Sequence, residues 1–173
     1  MLKFAIIGAG AGGQSMAAIL TSKGYIAKLY DIDKEKIHRL QELKTIKVTG
    51  VIACEAAPAV ITDRIDEVMD DVDVIMVVST TDAHRSIAYA CKPYLKDGQI
   101  VCFSAGNCAS ITLKKKRGDK KVIVGEMQGN IGSCRLVSPT KEIKGNPHTL
   151  LPPSYDWDSE YLRITGTPRK VSE

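Results

Sequence analysis

The sequence is short of aromatic residues, with two Phe, one Trp and six Tyr among 173 residues, and it contains only three His. Its main basic cluster, Lys114-Lys115-Lys116-Arg117 followed by Lys120 and Lys121, has no interleaved rings on which bases could stack. That cluster supplies much of the net charge of +4 and reads as a solvated turn, so nucleic-acid binding is not expected. The five cysteines, Cys54, Cys91, Cys102, Cys108 and Cys134, are odd in number and form no CxxC pair. They read as reduced core thiols, not as metal ligands or disulfides. No apolar run approaches the roughly 20 residues needed to cross a bilayer, and Met1-Leu2-Lys3-Phe4 lacks the layout of a signal peptide, which predicts a cytoplasmic protein with no membrane partner. Metal-ligand spacing, a Ser-His-Asp set, a nucleophile elbow and internal repeats are also missing.

What remains is a chain that is 44% hydrophobic and 25% charged, enough to bury a core as about one domain. Residues 2–7 form a nearly continuous apolar run, as a strand buried on both faces of a parallel sheet requires. A glycine turn and a helical pattern carried by Met16, Ile19 and Leu20 follow, with Gly24 as the stop. A second strand over 25–30 ends at Asp31, and Asp33 can cap a helix over 34–43. Residues 44–61 lose this regularity and read as short extended pieces around Gly50 and Pro58, before a brief helix over 64–70. Strands over 73–78, 99–103 and 121–126 then alternate with helices over 84–95 and 109–116. The pattern predicts an α/β fold, a doubly wound sheet of about six mostly parallel strands of Rossmann type, with helices on both faces. Residues 1–152 form the predicted dinucleotide-binding domain, and 153–173 an irregular carboxyl-terminal tail.

Gly8, Gly10 and Gly13 satisfy the spacing GxGxxG directly after a strand and at the opening of a helix. In that pattern the first glycine permits the tight turn, the second lets the backbone approach a pyrophosphate, and the third lets helix and strand pack closely. The turn Gly8, Ala9, Gly10, Ala11, Gly12 and Gly13 is therefore the predicted phosphate site, using unpaired helix N–H groups and the positive end of the helix dipole. Asp31 stands 18 residues after Gly13 at a strand end, placed to accept ribose hydroxyl hydrogens and to repel a 2′-phosphate. NAD is thus favoured over NADP, with Lys34, and more distantly Lys28, as cations that would admit NADP. The alternative for Asp31 is a plain turn residue.

In a doubly wound sheet the ligand lies over the carboxyl ends of the strands, which adds Val78, Ser79, Thr80, His84, Asn107 and Glu126 to the predicted cofactor-binding set. Thr81 shares the loop. Ordinary turn and cap chemistry is the alternative for these Ser, Thr and Asn residues. His84 begins a predicted helix, where the dipole disfavours imidazolium, so a neutral positioning role is weighed above proton transfer. His84 is the one candidate for catalysis, and the catalytic residues are otherwise unknown from the sequence. No metal is expected.

The stretches 3–18, 73–78 with Ala83-His84, 97–101, and Gly125-Glu126 with Cys134-Arg135 together resemble the amino-terminal domain of the octopine/nopaline (opine) dehydrogenase family. The similarity covers residues 2–152, ending near Leu150-Leu151-Pro152. What the resemblance implies is an oxidoreductase acting on CH–NH bonds, which uses NAD(P)H to reduce the imine formed between an α-keto acid and an amino acid. It also implies a second, helical domain that carries the family's catalytic His-Pro element. Nothing after Pro153 matches that domain, so the expectation is a cofactor-binding portion completed by a second domain or subunit, with an oligomer among the options. The loops Ser79-Thr80 and Ser104-Ala105-Gly106-Asn107 depart from the family, which often has a proline and more glycines there. Two other readings remain open: a non-catalytic NAD(H) sensor or regulatory module, and the cofactor domain of a ketopantoate-reductase-like or hydroxyacid dehydrogenase. A methyltransferase binding S-adenosylmethionine shares the glycine turn and strand-end acid but does not require Gly13.

Overall fold

A computed structural model describes residues 1–127, 129, 133–138 and 142–146. Strand β1 (Lys3–Ile7) is flanked by β2 (Ile26–Tyr30) on one side and β6 (Val74–Val77) on the other, both parallel to it. With β5 (Val60–Thr62), β7 (Ile100–Phe103) and β8 (Ile123–Glu126) they form a six-stranded sheet in the order β5-β2-β1-β6-β7-β8. Every pairing in it is parallel. The chain winds outward from β1 in both directions, so the strand order reverses between β1 and β6 and opens a crevice at their carboxyl ends. This is the expected Rossmann architecture.

The apolar runs of the central strands divide by alternation. Phe4, Ile6, Val74 and Met76 enter one core cluster, while Ala5, Ile7, Ile75 and Val77 enter the other, as a strand buried on both faces must arrange them. Helices α1 (Ala11–Ser22) and α2 (Lys34–Leu43) cover the first face through Met16, Leu20, Ile37 and Leu40. The second face is covered by α3 (Ile65–Met69), α4 (His84–Cys91) and α5 (Ala109–Lys116), through Val68, Ala88 and Leu113. Helix α4 runs into a 3₁₀ turn, Lys92–Tyr94, at Pro93, which cannot continue the α-helical hydrogen bonding.

Residues 44–61 form the short extended pieces their pattern predicts, and what the pattern did not show is how they pair. Strands β3 (Ile46–Gly50) and β4 (Cys54–Ala56) pair with β10 (Glu142–Asn146) and β9 (Ser133–Ser138) in a second sheet of order β4-β3-β10-β9. Helix α1 packs against both sheets. That explains why every residue from Gly13 to Leu20 is buried, since a helix covered on all sides has no solvent face to keep polar. Two polar residues in the run are satisfied internally: Gln14 Nε2 donates to the Ala9 carbonyl at 2.8 Å and Ser15 Oγ to the Ala11 carbonyl at 2.8 Å.

Cys91 and Cys102 are buried, as expected of core thiols, and burial pushes them up to about 12 and about 11 respectively. Cys108 is a correction: it is exposed at the head of α5. Among the described residues no helix is long and apolar enough to cross a membrane, and no cluster of His, Cys, Asp or Glu could hold a metal. The tail over 153–173 lies outside the described residues.

Candidate functional site

The glycine turn is built by contacts that leave no room for side chains at its first and third glycines. Gly8 has φ +112°, and a Cβ there would lie 2.2 Å from the Val78 carbonyl oxygen. A Cβ on Gly13 would lie 1.8 Å from the Gly8 carbonyl oxygen, so the first turn of α1 rests directly on the end of β1. Gly12 is closed by the Val78 side chain, 3.1 Å from where its Cβ would be. Val78 is therefore a wall of the turn. Gly10 differs from all three: among the described residues, its chain neighbours aside, no heavy atom lies within 4 Å of its Cβ position.

Gly10 is the N-cap of α1 and offers no side-chain cap, and no acidic residue occupies the first turn. The first helical bond runs from Gln14 N–H to the Gly10 carbonyl at 3.0 Å. Among the described residues the N–H groups of Ala11, Gly12 and Gly13 have no protein acceptor, as helix geometry dictates for an uncapped start. Open space at Gly10, unpaired donors and a positive helix end together fit a pyrophosphate.

Asp31 closes the turn from the side. Its side chain is only 13% exposed; Oδ2 accepts the Ala9 N–H at 2.7 Å and Oδ1 accepts the Asp33 N–H at 3.0 Å. Lys36 Nζ also donates to Oδ2, at 3.1 Å. Asp33 caps α2 by accepting the Lys36 N–H at 3.0 Å, as its position predicts. The lysines singled out from the sequence lie elsewhere. Lys34 is 84% exposed and pairs with Asp63 at 3.8 Å, and Lys28 Nζ donates to the carbonyls of Glu67 and Asp70. Lys36 is the cation on the acid, a residue missed because only the folding back of the first turn of α2 brings it there.

The loops after β6, β7 and β8 meet at the same edge. Asn107 Nδ2 donates to Thr81 Oγ1 at 3.0 Å, tying two of them together, and Ser79 Oγ donates to the Thr80 carbonyl at 3.3 Å. Ala105, Asn107 and Cys108 all have positive φ, of 51°, 45° and 70°. Left-handed conformations of this kind cost a non-glycine residue about 1 kcal/mol each and persist only where surrounding contacts enforce them. One such contact comes from Glu126, whose carboxylate accepts the N–H groups of Cys108 at 2.9 Å and Ser110 at 2.6 Å. Gly106 permits this crossing, because a Cβ there would lie 2.6 Å from Glu126 Cγ. Burial pulls the Glu126 carboxyl upward, but hydrogen bonds from Ser110 and Cys108, with the nearby His84, outweigh it and hold the group below its usual value. Glu126 thus acts here as the anion at the head of α5.

His84 heads α4 and is 4% exposed. Its ring lies edge-on to Phe103, with centroids 5.2 Å apart, and Phe103 is the register partner of Glu126. Neither ring nitrogen has a hydrogen-bond partner among the described residues. A buried imidazole in that state carries a desolvation cost of about 1–3 kcal/mol.

The family model for the NAD-binding domain of 6-phosphogluconate dehydrogenase matches residues 3–120. The chain is 30% identical over 141 residues to the opine dehydrogenase of Arthrobacter sp. (strain 1C), a similarity covering 79% of this chain and 39% of that protein. It is 28% identical over 117 residues to the glycerol-3-phosphate dehydrogenase (NAD(P)+) of Fusobacterium nucleatum subsp. nucleatum, covering 66% of this chain and 34% of that protein. The fold is similar to that of octopine dehydrogenase solved with NADH and pyruvate, with a TM-score of 0.71 at 19% identity over 84% of this chain and 40% of that one. The expected resemblance to opine dehydrogenases is met, and this chain spans about two-fifths or less of each relative.

Proposed function

The chain belongs to the family of the NAD-binding domain of 6-phosphogluconate dehydrogenase, and from that premise we propose that it is the coenzyme-holding part of an opine-dehydrogenase-like oxidoreductase. The observation that supports the coenzyme site is the pairing of open space at Gly10 with the unpaired N–H groups of Ala11, Gly12 and Gly13. The 30% identity to an opine dehydrogenase supports the substrate class, an α-keto acid with an amino acid amine, in preference to glycerol 3-phosphate.

In this reading the bound nicotinamide supplies the hydride that reduces an imine carbon. The residues of the chain bind and orient. The head of α1 takes the pyrophosphate, and Asp31 accepts from the adenosine ribose. Ile32, 83% exposed beside it, offers an apolar surface to the adenine. Thr80 and Asn107 border the nicotinamide side, while Glu126 holds the 104–108 loop in place through Cys108 and Ser110. His84, buried at the head of α4 and edge-on to Phe103, is a positioning group next to those loops. Hydride transfer needs both reactants held at attack distance in a water-poor cleft, and binding of the dinucleotide does not.

Fluorescence titration of the 173-residue polypeptide with NADH should therefore show saturable binding, while pyruvate with amino acids yields little turnover. Absence of NADH binding would refute the coenzyme site. If a form completed by its substrate-holding part oxidised glycerol 3-phosphate and condensed no keto acid with an amine, the substrate class would be refuted.

A further inference from the structure

We infer that the basic end of α5 and the turn after it dock an acidic polypeptide segment with an apolar anchor, at the edge of the sheet opposite the coenzyme crevice. The positive charge of the chain is concentrated there. Lys114, Lys115, Lys116, Arg117, Lys120 and Lys121 are near neighbours, and without their six charges the net +4 would become −2. Among the described residues no carboxylate pairs with any of their side chains. The helix dipole accounts for a cation in the last turn of α5, but Lys120 and Lys121 lie beyond the helix. Helix α5 leaves the carboxyl edge of the sheet after β7 and runs back to the amino edge. There the Lys121 carbonyl accepts the Gly98 N–H at 2.8 Å and the Lys121 N–H donates to Asp97 Oδ1 at 3.0 Å, just ahead of β7. A partner on this end therefore leaves the glycine turn open.

The fold adds what the run of cations lacks. Ile111, 51% exposed, stands three and four residues before Lys114 and Lys115, so the three share one face of α5. Tyr89 of α4 is exposed beside them, with Lys116 Nζ over its ring at 5.2 Å from the centroid. Hydrogen bonds from Lys116 and Arg85 hold the Tyr89 hydroxyl below its ordinary value, which brings a seventh cation to the face. Carboxylates fit this surface better than phosphates do. Five of the six clustered cations are lysines, which act as point charges, and Arg117 already donates Nη1 to the Val122 carbonyl at 2.7 Å, so its fork is partly used. Lys116 covers a face of the Tyr89 ring on which a base would otherwise stack. Ile111 is the one exposed aliphatic side chain of α5, too little to enter a bilayer but enough to receive an apolar side chain between acids.

The test is titration of the 173-residue chain, near physiological salt, with a labelled peptide of alternating Glu and Leu, with poly-L-glutamate, with poly(U) RNA and with phosphatidylserine vesicles. The Glu/Leu peptide should bind more tightly than the other three. K115E should weaken it about tenfold, while K47E, which reverses an exposed charge on β3, should leave it within about twofold. I111S should weaken the Glu/Leu peptide about threefold and leave poly-L-glutamate unchanged. The inference is overturned if the Glu/Leu peptide does not bind, if RNA or vesicles bind more tightly, if K47E matches K115E, or if I111S fails to distinguish the two acidic probes. It is also overturned if the peptide and NADH exclude each other. Failure of NADH alone to bind refutes the coenzyme site and leaves this surface standing. Circular dichroism melting of each variant separates loss of fold from loss of affinity.

Discussion

Two helices begin at the carboxyl edge of the same parallel sheet, and the protein treats their heads in opposite ways. Helix α5 receives an anion from the chain itself: Glu126 reaches past Gly106 to the N–H groups of Cys108 and Ser110. Helix α1 receives none. Its N-cap is glycine, its first turn has no acid, and the space at Gly10 is open. A helix head attracts negative charge wherever it occurs, worth about 0.3–1 kcal/mol at an exposed site. The two heads teach that the dipole alone does not define a ligand site; what distinguishes α1 is the absence of a competing carboxylate and of side chains that would fill the approach.

The contrast is broken most severely at the glycines that shape the α1 head. Gly13→Ala drives a methyl against the Gly8 carbonyl, and Gly8→Ala adds a positive φ to its clash with Val78. Either is expected to cost about 3 kcal/mol or more, read as a lowered urea midpoint. Gly10→Ala separates fold from binding. Its methyl meets no protein atom, so the melting curve should shift by less than about 0.5 kcal/mol in stability while NADH affinity drops at least about tenfold.

Smaller effects test the α5 head. Glu126→Gln should destabilise the chain by about 1 kcal/mol, as loss of a helix cap does, without a comparable loss of NADH affinity. The pH dependence has a definite sign. The folded chain holds Glu126 below its ordinary value of 4.5, so the unfolded chain binds the proton more readily and stability rises with pH through this window. The contribution is complete above the unfolded value and is lost as pH falls through the folded one; acid titration of the melting temperature should show a shallower fall in the Gln variant. The smallest expected change is at His84. His84→Phe removes two buried unpaired nitrogens, so stability should be unchanged or rise by about 1 kcal/mol. If the imidazole positions the coenzyme, NADH affinity falls in the same variant.

Much of this was legible from local pattern. The β1-turn-α1-β2 unit announces itself through the apolar run of β1, the glycine spacing and Asp31, because each depends on residues close in sequence. The structure adds the reason for Gly13 in particular, its contact with the Gly8 carbonyl. The second sheet was not legible. Strand β3 finds its partner far along the chain, with Val48 beside Ile143, and a short strand whose partner is remote leaves no period to read. Lys36 was missed in favour of Lys34 for a related reason: nearness to Asp31 in sequence is not nearness in space once the chain turns into α2. The role of Glu126 likewise depended on the register that sets it beside Phe103 and over α5. His84 was recognised as a helix-head residue, but its lack of hydrogen-bond partners follows from packing that only the fold supplies.

Backbone amide NMR during titration with NADH would compare the two helix heads in one experiment. The largest shift changes are predicted at Ala11, Gly12 and Gly13, with smaller ones at Cys108 and Ser110, whose N–H groups keep Glu126. Large changes at Cys108 and Ser110 with Ala11, Gly12 and Gly13 unmoved would contradict the account.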